Sequence, residues 1–380
     1  VIMSGIYIHI PYCKQKCTYC NFHFSTNTKN VEEMTNAMLI EIENKKNYLK
    51  KNEIHTIYFG GGTPSFIESK KLNELLEKIK SLYKIIENAE ITIELNPDDI
   101  TESKLKELKS IGFNRLSIGI QSFFDEDLKF MNRSHSGQEA VDSIKLSQKS
   151  GFKNITIDLI YGLPNLSNTN WKKNLTKINS LGIKHFSAYA LTVEPKTKLD
   201  YLIKSKKINT ISDDKIVEQF KILQEKTSNM GFVQYEISNF CKSENYSKHN
   251  SSYWKRKNYI GIGPSAHSFN GNQRQWNIKS NSKYIEKIKK KEKYFEIENI
   301  NNVEKYNEYI LTSLRTMWGV NHDYLKSNFD EKINLNFKNS VKKWLGSKNV
   351  IKKKGNYHLT NKGMIIADSI SSDLFFIQDS

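Results

Sequence analysis

Short apolar runs and longer helical stretches alternate along the first half of the chain. The apolar runs have the length and β-branched content of strands, and they lie at residues 6–10, 54–59, 91–95, 115–120, 155–160 and 185–191. Segments with helical spacing separate them at residues 31–49, 69–86, 101–110, 138–150 and 170–180. Repeated strand–helix units predict a parallel sheet covered by helices. Six such units predict an α/β fold, a (β/α)6 partial barrel of the TIM type.

The last eighty residues carry a different pattern. We predict helices at 306–316 and 336–345, a hairpin at 350–359 and a final helix from residue 361. This order is typical of a small α+β, winged-helix-like appendage. We therefore divide the chain into a barrel core at 1–235, an aromatic-rich connecting segment at 236–300 and the appendage at 301–380. A winged-helix shape does not by itself imply nucleic-acid binding, and we favour a lid or partner-docking role.

The formal net charge of the 380-residue chain is +17, carried mainly by scattered lysines. Scattered lysine is typical of solvated helix faces, and the basic runs at 287–291 and 352–354 have no recognised nucleic-acid-binding motif around them. No nucleic-acid partner is therefore expected. An anionic membrane surface or an acidic partner would fit the positive charge as well as a nucleic acid would. No apolar run approaches the roughly 20 residues that span a bilayer, so we expect a soluble or peripheral protein.

Three of the four cysteines stand in one loop straight after the first strand. Cys13, Cys17 and Cys20 have C-x3-C-x2-C spacing, which lets three thiolates converge on one metal centre. The odd count and the chain length argue against disulfides, and we expect no secretory signal and a reducing cytosol. Zinc with Cys241 as a fourth ligand is the alternative, but a lone triplet better suits a [4Fe-4S] cluster with one open iron. Cys241 follows an apolar run and is more typical of a buried small hydrophobe.

Polar residues or glycines stand where each of the first five strands ends. The cysteine loop follows the first strand and the glycine turn at 60–62 follows the second; Glu94, Gln121 and Asp158 lie at the ends of the next three. Barrels present their chemistry at the carboxyl ends of strands, so we predict one site there. Glycine permits close backbone approach to a ligand, and a buried Glu94 needs a partner. An ordinary turn and an ion pair with Arg115 are the alternatives.

Several longer sequence segments carry a family resemblance. They are YIHIPYC at 7–13, GGGTPS at 60–65, NRLSIGIQSF at 114–123, DLIYGLP at 158–164 and GIGPSAHSF at 261–269. Together with the C-x3-C-x2-C loop they resemble the radical S-adenosylmethionine (SAM) superfamily, in its coproporphyrinogen-oxidase-like HemN/HemW branch. Any one segment is weak, but five in this order are specific and span most of the chain.

The resemblance implies a fold, two cofactors and a set of residues that bind them. The fold is the (β/α)6 partial barrel, and Cys13, Cys17 and Cys20 would hold a [4Fe-4S] cluster whose open iron takes SAM. Such a cluster supplies an electron that cleaves the sulfonium carbon–sulfur bond of SAM. The residues that would contact SAM are Tyr7, Tyr19, Gly61, Gly62, Thr63, Glu94, Gln121, Arg133, Asp158, Ala190 and His267. His267 could equally close the mouth of the barrel.

Two departures from the oxidases favour the HemW group within this branch. The oxidases have a further cysteine two positions after the third, where this chain has Phe22. They also carry a long N-terminal extension, and we expect this chain to lack it. The segment HNSSYW at 249–254 is similar to the H-N-x-x-Y-W motif of the HemW group. The residues that would bind heme are His249, Asn250, Tyr253 and Trp254, although a structural histidine and core aromatics are the alternative.

The resemblance therefore implies a heme chaperone that delivers heme to acceptor hemoproteins such as respiratory enzymes. A cytoplasmic location, peripheral association with the membrane and a homodimer are further expectations. Whether SAM is cleaved in the working cycle stays open, and so does enzymatic activity, but coproporphyrinogen III oxidation is not expected. The alternatives are an oxidase of the coproporphyrinogen type and a zinc-stabilised nucleic-acid-binding protein.

Overall fold

The computed structural model describes residues 4–49, 53–210 and 212–377. Within these ranges twelve strands form one mixed sheet in the order β12-β11-β10-β9-β1-β2-β3-β4-β5-β6-β8-β7. The strands are β1 (Gly5–Ile10), β2 (Glu53–Gly61), β3 (Lys84–Leu95), β4 (Arg115–Gln121), β5 (Asn154–Tyr161), β6 (His185–Ala190), β7 (Val233–Glu236), β8 (Asn239–Cys241), β9 (Tyr259–Ile262), β10 (His267–Phe269), β11 (Gln273–Asn277) and β12 (Phe295–Asn299).

Strands β1 to β6 run parallel and are the six strands that the apolar runs predict. The helices that lie between these strands are α1 (Val31–Asn44), α2 (Ser69–Leu82), α3 (Glu102–Ile111), α4 (Asp125–Phe130), α5 (Gly137–Lys149) and α6 (Asn168–Ser180). Two further helices, α7 (Lys198–Lys204) and α8 (Asp213–Asn229), follow β6. Apolar strand residues such as Ile8, Ile57 and Ile93 are fully buried. The predicted α/β partial barrel is confirmed.

The predicted end of the second helix is wrong for a clear reason. We predicted a helix over residues 69–86, but α2 ends at Leu82 and β3 begins at Lys84. Lys84 and Ile85 pair with Glu53 and Ile54 of β2. This pairing with a distant strand satisfies the backbone groups of Lys84 and Ile85, and it overrides the local helical pattern.

The segment from residue 236 to 300 extends the barrel sheet at both of its edges. Strand β9 pairs in parallel with β1, and β8 pairs antiparallel with β6. Helices α9 (Lys248–Trp254) and α10 (Asn281–Lys289) lie in the same segment. The segment thus continues the barrel sheet in space, and the division of the chain into three parts stays a prediction.

A buried ionic network fastens this segment to helix α1. The Lys45 ammonium lies 2.9 Å from a Glu41 carboxylate oxygen and donates to the Gly261 carbonyl at 2.8 Å. Glu41 also accepts hydrogen bonds from the Gly263 amide and the Asn277 side chain, at 2.8 and 2.7 Å. Because every charge in it is paired and hydrogen-bonded, the network can remain buried.

The appendage has its own hydrophobic core, which includes Tyr306, Ile310, Phe337 and Ile370. Its described elements are α11 (Asn302–Leu314), β13 (Val320–Asn321), α12 (His322–Asn328), α13 (Glu331–Gly346), β14 (Val350–Lys353), β15 (Asn356–Leu359), α14 (Asn361–Met364) and α15 (Ala367–Asp373). The predicted hairpin is present as β14 and β15, whereas the predicted final helix is two short helices. None of the helices described here has the length and apolar character to cross a bilayer.

Candidate cofactor site

A cavity of about 910 Å³ opens at the carboxyl ends of the parallel strands. Its lining brings together twelve of the residues that the sequence predicts: Cys13, Cys17, Tyr19, Cys20, Gly61, Gly62, Thr63, Glu94, Gln121, Arg133, Asp158 and Ala190. They come from every one of the first six strands or from the loops that follow them. The strand-end rule therefore located a shared cavity, and the role of each residue in it stays a proposal.

The cysteine loop is held in shape by the loop around residue 132. The Gln15 side chain donates to the Asn132 carbonyl at 2.6 Å, and the Asn132 side chain donates to the Lys16 carbonyl at 2.8 Å. The Thr18 amide donates to the Met131 carbonyl at 3.1 Å. These reciprocal bonds position the half-buried cysteines at the cavity wall.

Two polar side chains donate to the sulfur atoms. The Thr63 hydroxyl lies 3.5 Å from Cys13 Sγ, and Arg133 Nη1 lies 3.4 Å from Cys17 Sγ. Burial raises the pKa of Cys13 to about 12, and the neighbouring Cys20 and Cys17 add to this effect. The protein alone thus favours the thiol form of Cys13. A bound cation would reverse this preference, because coordination removes the thiol proton.

Arg133 is central to the polar wall of the cavity. Its Nη2 atom donates to the Asn96 side chain at 2.6 Å and to the Gly119 carbonyl at 2.8 Å. Its Nε atom is buried without a hydrogen-bond partner. A guanidinium with a buried, unused donor beside three thiols fits a ligand that brings negative charge, such as a cluster or a carboxylate.

Glu94 and Asp158 are two carboxylates on the same cavity. Glu94 accepts hydrogen bonds from the Tyr58 hydroxyl at 2.8 Å and from the Gly61 amide at 3.1 Å. Burial raises the pKa of Glu94 to about 7, and the nearby charge of Asp158 adds to the rise. Burial also raises the pKa of Asp158 to about 6, against the lowering effect of Ser187 and Arg115. Two acids with raised pKa values fit a cationic ligand, because it would stabilise their ionised forms.

The glycine turn packs tightly against the protein itself. A Cβ atom at Gly62 would lie 2.4 Å from the Tyr12 carbonyl oxygen, and one at Gly61, whose φ is +112°, would meet the His9 ring at 2.7 Å. The Thr63 amide donates to the same Tyr12 carbonyl at 2.7 Å. The turn therefore needs glycine to stay close to the cysteine loop. Approach of its backbone to SAM stays a prediction.

Two predicted SAM residues lie off the cavity wall. Tyr7 is behind the wall, where its ring stacks on Tyr58 with centroids 6.1 Å apart and its hydroxyl is hydrogen-bonded to His9 at 3.0 Å. His267 is exposed at the start of β10 and stacks on Trp276. The described geometry thus gives His267 no place at the cofactor cavity.

The HNSSYW segment forms helix α9, and the structure does not bring it to this cavity. His249 is 1% exposed, and its ring nitrogens are hydrogen-bonded to Thr56 and Tyr253, each at 2.8 Å. Trp254 lines a second cavity of about 630 Å³ together with Trp318. Heme binding by these residues and by Asn250 stays a prediction, and ligation of iron by His249 would require the loss of one of its two hydrogen bonds.

Cys241 is too far from the cysteine loop to complete a zinc site. It pairs with His185 at the start of β6, whereas the cavity residue Ala190 lies at the end of that strand. Five residues of a strand span about 16 Å. In the described part of the chain no group of three or more His, Cys, Asp and Glu side chains is arranged so that it could hold a metal ion. Cluster binding therefore rests on the spacing of the three cysteines and their shared cavity.

Sequence reasoning missed several cavity residues. Asn96 links Arg133 to Thr63 and directly follows β3, so its position at a strand end could have identified it. Arg315 comes from the appendage, where it pairs with Glu236 at 3.1 Å. The apolar outer wall was also missed, and it includes Ile160, Tyr161, Ile216, Val217, Phe220, Met364, Ile365 and Ile366. No local motif marks these residues, because distant parts of the chain meet there.

The fold and the cysteine loop define a radical SAM protein. Residues 7–178 match the family model of the radical SAM superfamily. The structure of coproporphyrinogen III oxidase HemN from Escherichia coli, a radical SAM enzyme, superposes with a TM-score of 0.84 over 98% of this chain and 90% of that one. The sequence identity in that comparison is 18%, so it shows a shared fold.

Sequence relatives narrow the assignment. The heme chaperone HemW of Bacillus subtilis (strain 168) is 33% identical over 372 residues, which cover 97% of this chain and 98% of that protein. The heme chaperone HemW of Escherichia coli (strain K12) is 35% identical over 265 residues, 69% of each chain. The chain belongs to the HemW family of radical SAM proteins, which confirms the family that the motifs predicted.

Proposed function

We propose that this protein is a heme chaperone that binds a [4Fe-4S] cluster, SAM and heme, and delivers heme to acceptor hemoproteins such as respiratory enzymes. The observation that carries the proposal is the likeness over 97% of the chain to a protein named a heme chaperone. Phe22 supports it, because the oxidase motif has a cysteine at that position. The Phe22 side chain is 68% exposed on the rim of the cavity.

Within the cavity, Cys13, Cys17 and Cys20 would hold the cluster, which supplies an electron for cleavage of SAM when both are bound. Thr63 and Arg133 stabilise thiolate charge by donating hydrogen bonds to sulfur.

Three charged residues would orient SAM. Glu94 and Asp158 attract the ammonium, sulfonium or ribose groups, whereas the free Nε donor of Arg133 suits the carboxylate. Gln121, which has a positive φ of 66°, is held in an uncommon backbone conformation at the same wall. Tyr19 would pack against the bound cofactor.

The remaining parts of the proposal concern the protein in the cell. A cytoplasmic location, peripheral attachment to the membrane through the net charge of +17 and a homodimer are proposals that follow from the family and the charge. The appendage contributes Arg315 and Ile365 to the cavity wall, which supports a role as a lid over the site.

An anaerobic heme titration of the protein reconstituted with iron and sulfide tests this function. Coproporphyrinogen III is offered in a parallel reaction with SAM and a reductant, and its product is followed. We expect a saturable heme Soret band and no consumption of coproporphyrinogen III. Turnover of that substrate without stable heme binding would instead establish an oxidase.

A further inference from the structure

Helix α9 is fastened to the inside of the barrel at its first turn. The Glu90 carboxylate on β3 accepts hydrogen bonds from the amides of Lys248 and His249, at 3.1 and 3.0 Å. The Ser247 hydroxyl caps the helix by accepting a hydrogen bond from the Asn250 amide at 3.2 Å. These bonds fix the position of the His249 backbone relative to β2 and β3.

The His249 ring is fixed by hydrogen bonds and by aromatic contacts. Thr56 and Tyr253 occupy its two nitrogens, and the Tyr253 ring meets it edge to face with centroids 4.9 Å apart. Burial lowers the pKa of His249 to about 3, and the charge of Arg115 lowers it further. The ring is therefore a neutral, fixed part of the barrel interior.

One face of that ring supports Tyr58. The two rings are stacked with centroids 5.0 Å apart and an interplanar angle of 27°. The hydroxyl of Tyr58 donates the 2.8 Å hydrogen bond to Glu94. A Cβ atom at Gly60 would lie 2.8 Å from the Tyr58 ring and 3.0 Å from the Glu94 carboxylate, so the glycine turn leaves the space that this pair needs.

We infer that His249 is a positioning residue of the SAM site, which orients Glu94 through the stacked ring and hydroxyl of Tyr58, and that it is not a heme ligand. The inference rests on the proposed binding of SAM by Glu94. The histidine of the HNSSYW segment would thus support ligand binding in the cavity that contains the cysteines, although the histidine side chain itself does not reach that cavity.

His185 provides a matched control within the same barrel. It is 1% exposed, and its ring nitrogens are hydrogen-bonded to Thr156 at 2.6 Å and to Tyr235 at 2.7 Å. The partners are again a threonine and a tyrosine, but Tyr235 makes no hydrogen bond to Glu94 among the described contacts. Substitution of His185 thus removes the same kind of buried, doubly hydrogen-bonded ring, but one that has no connection to Glu94.

The test measures the Kd for SAM and, separately, for heme in the reconstituted protein. His249→Leu fills the space without a ring, and we expect the SAM Kd to rise about threefold to tenfold, the range for loss of one aromatic pair. His249→Phe restores the ring and should bring the SAM Kd back to within about twofold of the unmodified protein.

Tyr58→Phe should raise the SAM Kd about tenfold, because a hydrogen bond to a charged group is lost. His185→Leu should leave it within about twofold.

Non-additivity is the readout that a merely structural role would not produce. Once Tyr58→Phe has removed the hydroxyl, His249→Leu should weaken SAM binding no further. The Soret spectrum and the heme Kd should be the same in His249→Leu as in the unmodified protein. If the His249→Leu variant does not retain its cluster, His249→Asn is used in its place, because it also lacks a ring. The same SAM Kd and Soret spectrum are then expected.

Two results would overturn the inference. Equal effects of His249→Leu and His185→Leu on SAM binding would reduce His249 to a structural role, and an altered Soret band with an unchanged SAM Kd would make it a heme ligand. Failure of the proposed function looks different, because Glu94→Gln would then leave the SAM Kd unchanged.

Discussion

The hydroxyl of Tyr58 donates a 2.8 Å hydrogen bond to Glu94, and this bond joins the packed interior of the barrel to the wall of the cofactor cavity. Tyr58 is buried, whereas Glu94 lines the cavity. A buried side chain therefore influences the ionisation of Glu94, and the charge of Glu94 in turn affects the binding of a ligand in the cavity.

This relationship predicts a pH dependence of SAM binding. The pKa of Glu94 is raised to about 7 because the side chain is buried and faces Asp158. An ionised carboxylate is the better partner for an ammonium or a hydroxyl, so the SAM Kd should fall as the pH rises through about 7, by up to about tenfold per pH unit below that value. Isothermal titration between about pH 5.5 and about pH 8 measures it.

The same shift has the opposite consequence for folding. The folded chain binds the Glu94 proton more tightly than the unfolded chain, so this group destabilises the fold progressively as the pH rises from about 4.5 to about 7. Glu94→Gln should remove both effects. If the midpoint near pH 7 persists in that variant, another group, with Asp158 the first candidate, controls SAM binding.

Replacement of Cys17 by alanine tests the metal-binding loop. We expect loss of cluster iron and sulfide after reconstitution, because two thiolates cannot hold the cluster that three would. The barrel should remain folded, since the loop is fastened by Gln15, Thr18 and Asn132 as well. Iron and sulfide analysis and circular dichroism check the two parts of the prediction.

Cys241→Ala is the matched control for that experiment. Cys241 is 0% exposed and lies at the other end of β6 from the cavity. Its variant should bind iron and sulfide normally. Full iron content in Cys17→Ala, or its loss in Cys241→Ala, would contradict the assignment of the three cysteines.

The buried pair of Lys45 and Glu41 should be important for stability. Lys45→Met leaves the Glu41 charge buried without its cation, which should lower the free energy of unfolding by about 3–5 kcal/mol. Chemical denaturation measures this change. Lys46→Met breaks an exposed pair with Glu43 and should change the free energy of unfolding far less. Similar losses in the two variants would show that the buried network contributes little.

Local pattern and one rule of topology predicted the barrel and most of its site. The apolar runs identified β1 to β6, and the rule that parallel strands present their carboxyl ends together brought Glu94, Gln121 and Asp158 to the cysteine loop. Both predictions depend on short stretches of sequence, where periodicity and spacing are sufficient.

The parts that were missed depend on contacts between distant residues. Pairing of β9 with β1 joins residues about 250 positions apart, and the pairing of Lys84 with Glu53 made a strand out of a predicted helix end. Arg315 reaches the cavity from the appendage, and His249 lies in the barrel interior although its motif suggested a ligand. Single-sequence patterns do not encode such pairings.

The most direct test of the central claim is heme transfer. The reconstituted protein is loaded with one heme, separated from free heme, and mixed anaerobically with the apo form of a respiratory hemoprotein, while the spectrum and activity of the acceptor are followed. We predict that the acceptor gains heme and activity as the Soret band of the loaded protein declines. Heme that stays with the protein, or transfer no faster than from an equal concentration of heme bound to serum albumin, would contradict the chaperone function.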